Sequence, residues 1–471
     1  MKIIIVGDGK VGFTLAEHLS LEGHDVTIID TSEDALRRAA DALDVLCIKG
    51  NGASIAALRE SGADTADVLI AATSMDEINM VCCFTAKRLG AKYTIARVRN
   101  IEYAIELTAL QKELGIDMVI NPENATAVEI SRLLRFPNAA NIETFYRGRV
   151  ELISFVTQEG DFVNNKPISD LSLRLHELSI LFCVVERDSG VFIPHGDFVI
   201  LPGDKIYLIG EALGINQFFK LLGRNTARIK NVLIVGGGRI THYLTSIVEK
   251  LGMRVKIIER NEERCRHLAE MLPHTTVICG DGTEQELLES ENMRSFDAFV
   301  ALTDRDEDNL IISLYALQQS IPKVVSKCNR QNYAGIAHSV GLESVISPKM
   351  ITANRILQVV RDMQSSKGSV MNALYKIANG RAEAMEFMAN ETTSHLGVPL
   401  KSLKLKNGIL ISLIVHEGRI LIPDGASVIA LGDTVIIIAQ EAGILELNHI
   451  FADTATRVLS PRGGEEVTRA T

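Results

Sequence analysis

The chain has 471 residues, 46% of them hydrophobic, and 49 basic against 59 acidic side chains give it a formal net charge of −10. That acidic balance argues against the broad basic face of a nucleic-acid binder, and the length allows about three to four ordinary domains with real cores. Only four apolar residues stand between Lys2 and Gly7, too few for a secretory core, and no run approaches the roughly 18 apolar residues of a membrane span, so the expectation is a cytosolic chain.

The first 135 residues alternate strand and helix. Lys2 to Val6 is a continuous apolar run ended by glycine, as for a strand buried on both faces of a parallel sheet. Val11 to Glu22 carries apolar residues at helical spacing, with Gly23 as the stop. A strand over Val26–Ile29 ends at Asp30, and a helix over about Ser32–Ala42 starts with Thr31 or Ser32 as its cap. Further strands are expected at Val45–Ile48, Val68–Ala72 and Tyr93–Val98. The turn Gly7-Asp8-Gly9-Lys10-Val11-Gly12 sits between a strand and a helix and is followed by an acidic residue 23 positions after its first glycine. Gly7 permits the tight turn, Gly9 the approach of a pyrophosphate to the backbone, and Gly12 close helix–strand packing; the helix N-terminus offers free N–H groups to the anion. Asp30 can accept hydrogen bonds from both hydroxyls of an adenosine ribose, whether of NAD(H) or of ATP or ADP, and would repel a 2′-phosphate.

Thr73 and Ser74 follow the fourth strand where such sheets hold ligands. Thr73 either touches the nucleotide or caps the helix starting near Asp76. Arg97 and Arg99 flank a later strand and either reach a phosphate or form surface ion pairs.

From residue 231 the pattern begins again. Gly236-Gly237-Gly238-Arg239-Ile240-Thr241 repeats the first turn 229 positions on, and Glu259 again stands 23 positions after the first glycine. Gly280-Asp281-Gly282 answers to Gly50-Asn51-Gly52, and Thr303 with Asp306 to Asn309 answers to Thr73 with Asp76 to Asn79. The third glycine has become Thr241, which places a branched side chain where helix and sheet approach most closely. Arg239 either adds a cation to a bound phosphate or points to solvent, and solvent is the expected fate.

After each of these halves, residues 145–210 and 382–440 carry short alternating runs with Pro-x-Gly and Gly-Asp turns, the signature of small strand-rich domains. His195 in Pro194-His195-Gly196 is matched by Asp424, so turn chemistry explains both. The fold expected is α/β, with two doubly wound Rossmann-like domains, each followed by a small strand-rich α+β domain. The boundaries are 1–135 and 136–222 for the first pair, 223–230 for a linker, 231–365 and 366–455 for the second pair, and 456–471 for a flexible tail. No Tyr-x-x-x-Lys pair occurs and no histidine falls at matching positions in both copies, which argues against a dehydrogenase. The seven cysteines include no Cys-x-x-Cys, as expected for buried thiols and no metal site.

This order of parts, with Ile3-Ile-Ile-Val-Gly7-Asp-Gly-Lys-Val-Gly12, Val26-Thr-Ile-Ile-Asp30, Lys49-Gly-Asn-Gly52, Ala71-Ala-Thr-Ser-Met-Asp-Glu-Ile-Asn79 and Ala96-Arg-Val-Arg99, resembles the TrkA family of Trk potassium uptake systems over residues 1–455. The resemblance implies a non-enzymatic regulatory subunit of tandem RCK domains, binding NAD(H) with ATP or ADP as the alternative. It implies assembly of about four chains into a ring of eight nucleotide domains, on the cytosolic face of an integral-membrane, TrkH-like potassium transporter subunit. A regulator of some other transporter or channel is the runner-up. Carried onto this sequence, the resemblance places the first nucleotide on Gly7 to Val11, Asp30, Thr73, Ser74 and Arg97, and the second on Gly236 to Ile240 and Glu259. Asn51 and Asp281 lie near the adenine in that reading, and Thr303 repeats Thr73.

Overall fold

A computed structural model of the chain describes residues 1–452 apart from 104–105, 107–110, 112, 137–138, 140, 189, 225–228, 331–332, 334, 338–339, 365–370, 441–443 and 445. The expected tail, 456–471, and part of the expected linker lie outside the described residues.

The first sheet holds β1 (Lys2–Val6), β2 (Asp25–Asp30), β3 (Leu46–Lys49), β4 (Val68–Ala71), β5 (Tyr93–Arg97) and β6 (Met118–Ile120) in the order β3-β2-β1-β4-β5-β6. Every pairing is parallel. Strands covered on both faces can be apolar throughout, and Ile3, Ile4 and Ile5 are fully buried. The chain reverses direction of strand order between β1 and β4, which leaves a crevice above their carboxyl ends. The helices that matter to this crevice are α1 (Lys10–Leu21), α2 (Glu33–Ala42), α3 (Ile55–Glu60), α4 (Asp76–Leu89) and α5 (Pro122–Arg135). Ser32, rather than Thr31, caps α2, its hydroxyl accepting the N–H of Ala35 at 3.3 Å.

The antiparallel sheet that follows contains β7 (Asn141–Phe145), β8 (Val150–Val156), β9 (Ile180–Arg187), β10 (Gly190–Phe192) and β11 (Lys205–Gly210), ordered β10-β9-β11-β8-β7, with helices α6 (Ile168–Glu177) and α7 (Ala212–Leu221). His195 is exposed in the turn beyond β10.

The second parallel sheet repeats the first. Its strands β12 (Asn231–Val235), β13 (Arg254–Glu259), β14 (Thr276–Cys279), β15 (Ala298–Ala301), β16 (Lys323–Lys327) and β17 (Ser344–Ile346) run in the order β14-β13-β12-β15-β16-β17. Its helices are α8 (Arg239–Lys250), α9 (Glu262–Met271), α10 (Gln285–Ser290), α11 (Asp306–Gln318) and α12 (Pro348–Gln364). The last sheet, β18 (Met371–Ile377), β19 (Ala382–Met388), β20 (Ile409–His416), β21 (Arg419–Leu421) and β22 (Thr434–Ala439), has the mirrored listing β18-β19-β22-β20-β21. Where the first small domain has α6, the second has only the single 3-10 turn Leu400–Ser402, begun after Pro399.

The two halves exchange helices. Ala353, Ile356, Leu357 and Val360 of α12 are buried in the core of the first parallel sheet, against Leu15 and Leu19 of α1. In return, Ala127, Ile130, Leu133 and Leu134 of α5 join the core of the second, with Leu244 and Val248 of α8. The Nδ2 of Asn121 donates to the Tyr243 hydroxyl at 3.0 Å, and the ammonium of Lys323 donates to the Ala139 carbonyl at 2.6 Å. The small sheets also interlock, the Tyr146 N–H donating to Glu386 at 2.6 Å and the Tyr375 hydroxyl to the Thr144 carbonyl at 2.9 Å. Each half therefore lacks a complete core without the other. Among the described residues no helix is long and apolar enough to cross a membrane.

Two matched clefts as the candidate functional site

Each cleft begins with a glycine that only glycine suits. Gly7 has φ +101° and Gly236 φ +102°, and a Cβ at Gly7 would lie 2.9 Å from the Thr73 nitrogen. Gly9 and Gly238 end the turns at the N-termini of α1 and α8, with open space where their Cβ atoms would be. No side chain caps either helix, so their first N–H groups face that space. Val11, Gly12, Gly237 and Ile240 are buried below.

The acidic residues at the ends of β2 and β13 are held alike. Asp30 accepts the Asp8 N–H at 2.6 Å and the Ser32 N–H at 2.8 Å. Glu259 accepts the Gly237 N–H at 2.7 Å and the Asn261 N–H at 2.8 Å. Both carboxylates thus tie the glycine loop to the next helix and keep acceptor capacity in hand.

The clefts differ at the residue after the first glycine. A Cβ at Gly237 would meet Leu268 at 2.4 Å, whereas the first copy places Asp8 there, 8% exposed. Burial and the neighbouring charge of Asp30 push its carboxyl up to about 6, with Arg38 opposing, and its Oδ1 has no hydrogen-bond partner.

Opposite the glycine loops, Thr73 and Thr303 are locked by asparagines. The Thr73 N–H and hydroxyl reach Asn79 Oδ1 at 2.8 and 2.7 Å, and Asn79 Nδ2 donates to the Arg97 carbonyl at 2.8 Å. Thr303, Asn309 and the Lys327 carbonyl repeat this at 2.8, 2.8 and 3.1 Å. Thr73 is thus no N-cap: that position is Met75, without a side-chain cap. Asp76 and Asp306 each accept two N–H groups of the loops after β5 and β16, from Arg99 and Asn100 and from Asn329 and Arg330. These asparagines and aspartates stand in the repeated segment yet carry no role in the sequence reading, because a structural brace has no residue-type signature of its own.

Ser74 is exposed at the cleft rim. Asn51 and Asp281 accept local N–H groups, from Ala53 at 3.0 Å and Thr283 at 2.9 Å, in turns beside the clefts. Arg97 does not form the surface ion pair considered for it. Its Nη1 donates to the Thr73 carbonyl at 3.3 Å, its buried Nε has no partner among the described residues, and burial with nearby Arg99 and Arg239 lowers its pKa. Arg99 does pair, with Glu123 at 2.7 Å. Arg239 is exposed, in a cleft shared with Arg99 and Glu123 of the first half. Lys10 in turn lines a cleft with Asp304 and Asp306 of the second.

The replaced third glycine is accommodated. A Cβ at Gly12 would stand 1.9 Å from the Gly7 carbonyl oxygen, but Thr241 is fully buried and its hydroxyl donates to the matching carbonyl of Gly236. The expectation of uniformly buried thiols fails at Cys279, which is exposed, and at half-buried Cys47. Both lie on the short outermost strands β3 and β14, which are covered less than the sheet centre. Among the described residues no group of three or more potential ligands could hold a metal.

The TrkA-N domain family matches residues 3–122 and 232–348, and the TrkA-C domain family matches residues 152–223 and 384–452. The chain is 33% identical over 459 residues to the Trk system potassium uptake protein TrkA homolog 2 of Methanosarcina mazei, covering 96% of this chain and all of that one. It is 33% identical over 457 residues to the Trk system potassium uptake protein TrkA of Halomonas elongata, covering 96% and 98%. Among solved structures, the GsuK channel bound to NAD aligns with a TM-score of 0.61 at 18% identity, over 93% of this chain and 76% of that one. The GsuK RCK domain aligns at 0.60 and 17%, over 93% and 92%.

Proposed function

The chain belongs to the TrkA family, and from that premise we propose that it is the nucleotide-sensing regulatory subunit of a potassium uptake system, binding NAD(H), ATP or ADP in its two clefts. The observation that carries the reading is the pair of matched clefts, each with an open helix N-terminus and a carboxylate at the neighbouring strand end. The residues suit such a ligand. The space over Gly9 and Gly238 admits phosphates to backbone N–H groups. Asp30 and Glu259 retain lone pairs for ribose hydroxyls, and the partnerless Nε of Arg97 is a buried donor beside Thr73. The fold is shared with a channel whose structure is described as bound to NAD.

Regulation follows from the exchanged helices. The N-termini of α1 and α8 that face the phosphates belong to the helices that pack on α12 and α5 of the other half. A nucleotide that favours one angle between the halves would shift the population of that angle, by no more than its difference in affinity for the two. In this reading the chains assemble as a homotetrameric ring on the cytosolic face of a TrkH-like membrane subunit, which the ring opens or closes. The test is calorimetry with NADH, NAD, ATP and ADP, followed by potassium flux through the co-purified membrane subunit with and without nucleotide. Absence of binding by all four would overturn the proposal, and steady turnover of NADH with a carbonyl substrate would replace it by an enzyme.

A further inference from the structure

Two cysteines converge on the carboxylate residue of the second cleft and have no counterparts in the first. Cys265, buried on α9, donates its S–H to the main-chain carbonyl of Glu259 at 3.1 Å. Cys279, exposed at the end of β14, is the direct register partner of Glu259 across the parallel sheet, and Gly280 after it donates its N–H to the same carbonyl at 3.0 Å. Both cysteines therefore flank one carbonyl, and the Cys279 thiol adds to the burial that raises the Cys265 pKa. In the first half Leu36 stands in the place of Cys265, and Lys49 is the register partner of Asp30, its ammonium bonded to Glu33 at 2.8 Å.

We propose that Cys265 and Cys279 are an oxidative modification site: they close to a reversible disulfide in the wall of the second cleft, leaving the first untouched. A bond between them needs the two sulfurs, carried on residues that flank the Glu259 carbonyl, to approach to about 2.05 Å. The exposed Cys279 thiolate attacks hydrogen peroxide, one oxygen passing to sulfur as a sulfenic acid while the other leaves as water after protonation. The Cys265 sulfur then displaces the sulfenic hydroxyl, which takes up the Cys265 proton and departs as the second water. Two thiols and one peroxide give one disulfide and two waters, and a dithiol reductant reverses the change. Burial pushes the Cys265 thiol up to about 11, so it acts second. Oxidation removes the S–H donor from the Glu259 carbonyl and ties β14 to α9. The wall so altered includes Glu259, Asn261, Arg264 and Asp281.

The consequence for a ligand rests on the nucleotide reading above, and the experiment separates the two. Full-length protein is treated with hydrogen peroxide, then digested without reductant. A peptide linking Cys265 to Cys279, about 2 Da lighter than its parts, is expected, lost on adding dithiothreitol and absent from Cys279→Ser. In ADP titrations of Asp30→Ala protein, in which the first cleft is weakened, the affinity of the second cleft is expected to change at least threefold on oxidation and to recover on reduction, with no change in the same protein carrying Cys279→Ser. Free thiols at both positions, or sulfinic acid at Cys279 without the link, overturn the proposal. So does a linked protein whose ADP affinity is unchanged. A link that forms in protein binding no ADP in either state leaves the modification site standing and overturns the reading of the second cleft as an ADP site instead.

Discussion

Asp30 and Glu259 each hold two loop N–H groups as well as facing the cleft, so their substitution tests binding and loop order together. Asp30→Ala is expected to weaken ADP or NAD(H) at the first site by about 10- to 100-fold, the worth of one or two hydrogen bonds to a charged group. The second site should be unchanged, and Glu259→Ala should show the reverse; calorimetry resolving two sites decides it. Asp8 gives a prediction in pH. Its folded pKa, about 6, lies above its ordinary value of 3.8, so its contribution is fully present below pH 4 and is lost as pH rises through 6. Asp8→Asn should therefore stabilise the protein at pH 7, by about 1–2 kcal/mol allowing for partial solvation, and by nothing at pH 4. Thermal denaturation at the two pH values measures it. The sequence shows Asp8 as one of the residues of the glycine turn, Gly7 to Val11, expected to hold the nucleotide. That it is buried beside a second carboxylate depends on how β2 ends against the loop, which no local pattern encodes.

At the level of elements, the strands and the helices flanking the glycine turns were legible, with ends shifted by a residue or two. Continuous apolar runs ended by glycine have few alternatives. Gly12 and Thr241 show where that legibility stops. The sequence reads Thr241 as an intrusion, whereas its hydroxyl bonds to the carbonyl that would block a methyl at Gly12. Gly12→Ala is accordingly expected to cost about 1–3 kcal/mol as an overpacked contact and to weaken the first site, while Thr241→Val, similar in shape but without the hydroxyl, should cost about 1 kcal/mol. Chemical denaturation of each variant checks the pair. The exchange of α5 and α12 was not legible at all. Their apolar faces are visible as periodicity, but the partner of each lies more than a hundred residues away in the other half. Leu357 is 1% exposed within the core of the first sheet, so Leu357→Ala is expected to cost about 2–5 kcal/mol and to destabilise the first half although it lies in the second. Hydrogen exchange at β1 and β4 would register that loss, and unchanged protection there would show the halves to be independent.

For the whole molecule, the internal repeat is a structural pseudo-symmetry, and what it leaves uncovered bears on assembly. Val81 on α4 and Ile311 on α11 occupy matching positions and are 46% and 67% exposed, and Phe84, one turn on from Val81, is 40% exposed. A lone exposed apolar side chain means little, since much of any protein surface is apolar. The same position left apolar and exposed in both halves is different, because a ring of repeated domains would cover both by equivalent contacts. Helices α4 and α11 also begin with the bracing Asp76 and Asp306, so a contact on their outer faces would be mechanically joined to the strand ends of the clefts. If these faces close the ring, Val81→Asp together with Ile311→Asp buries uncompensated charge at the contact and should reduce the assembly to single chains in light scattering at micromolar concentration. Each chain would keep its exchanged helices, its thermal stability and its nucleotide affinity, because those reside within the chain. Potassium flux through the membrane subunit should then lose its response to nucleotide while binding persists, the separation expected when sensing belongs to the chain and gating to the ring. An unchanged particle mass would show that the chains meet through another face.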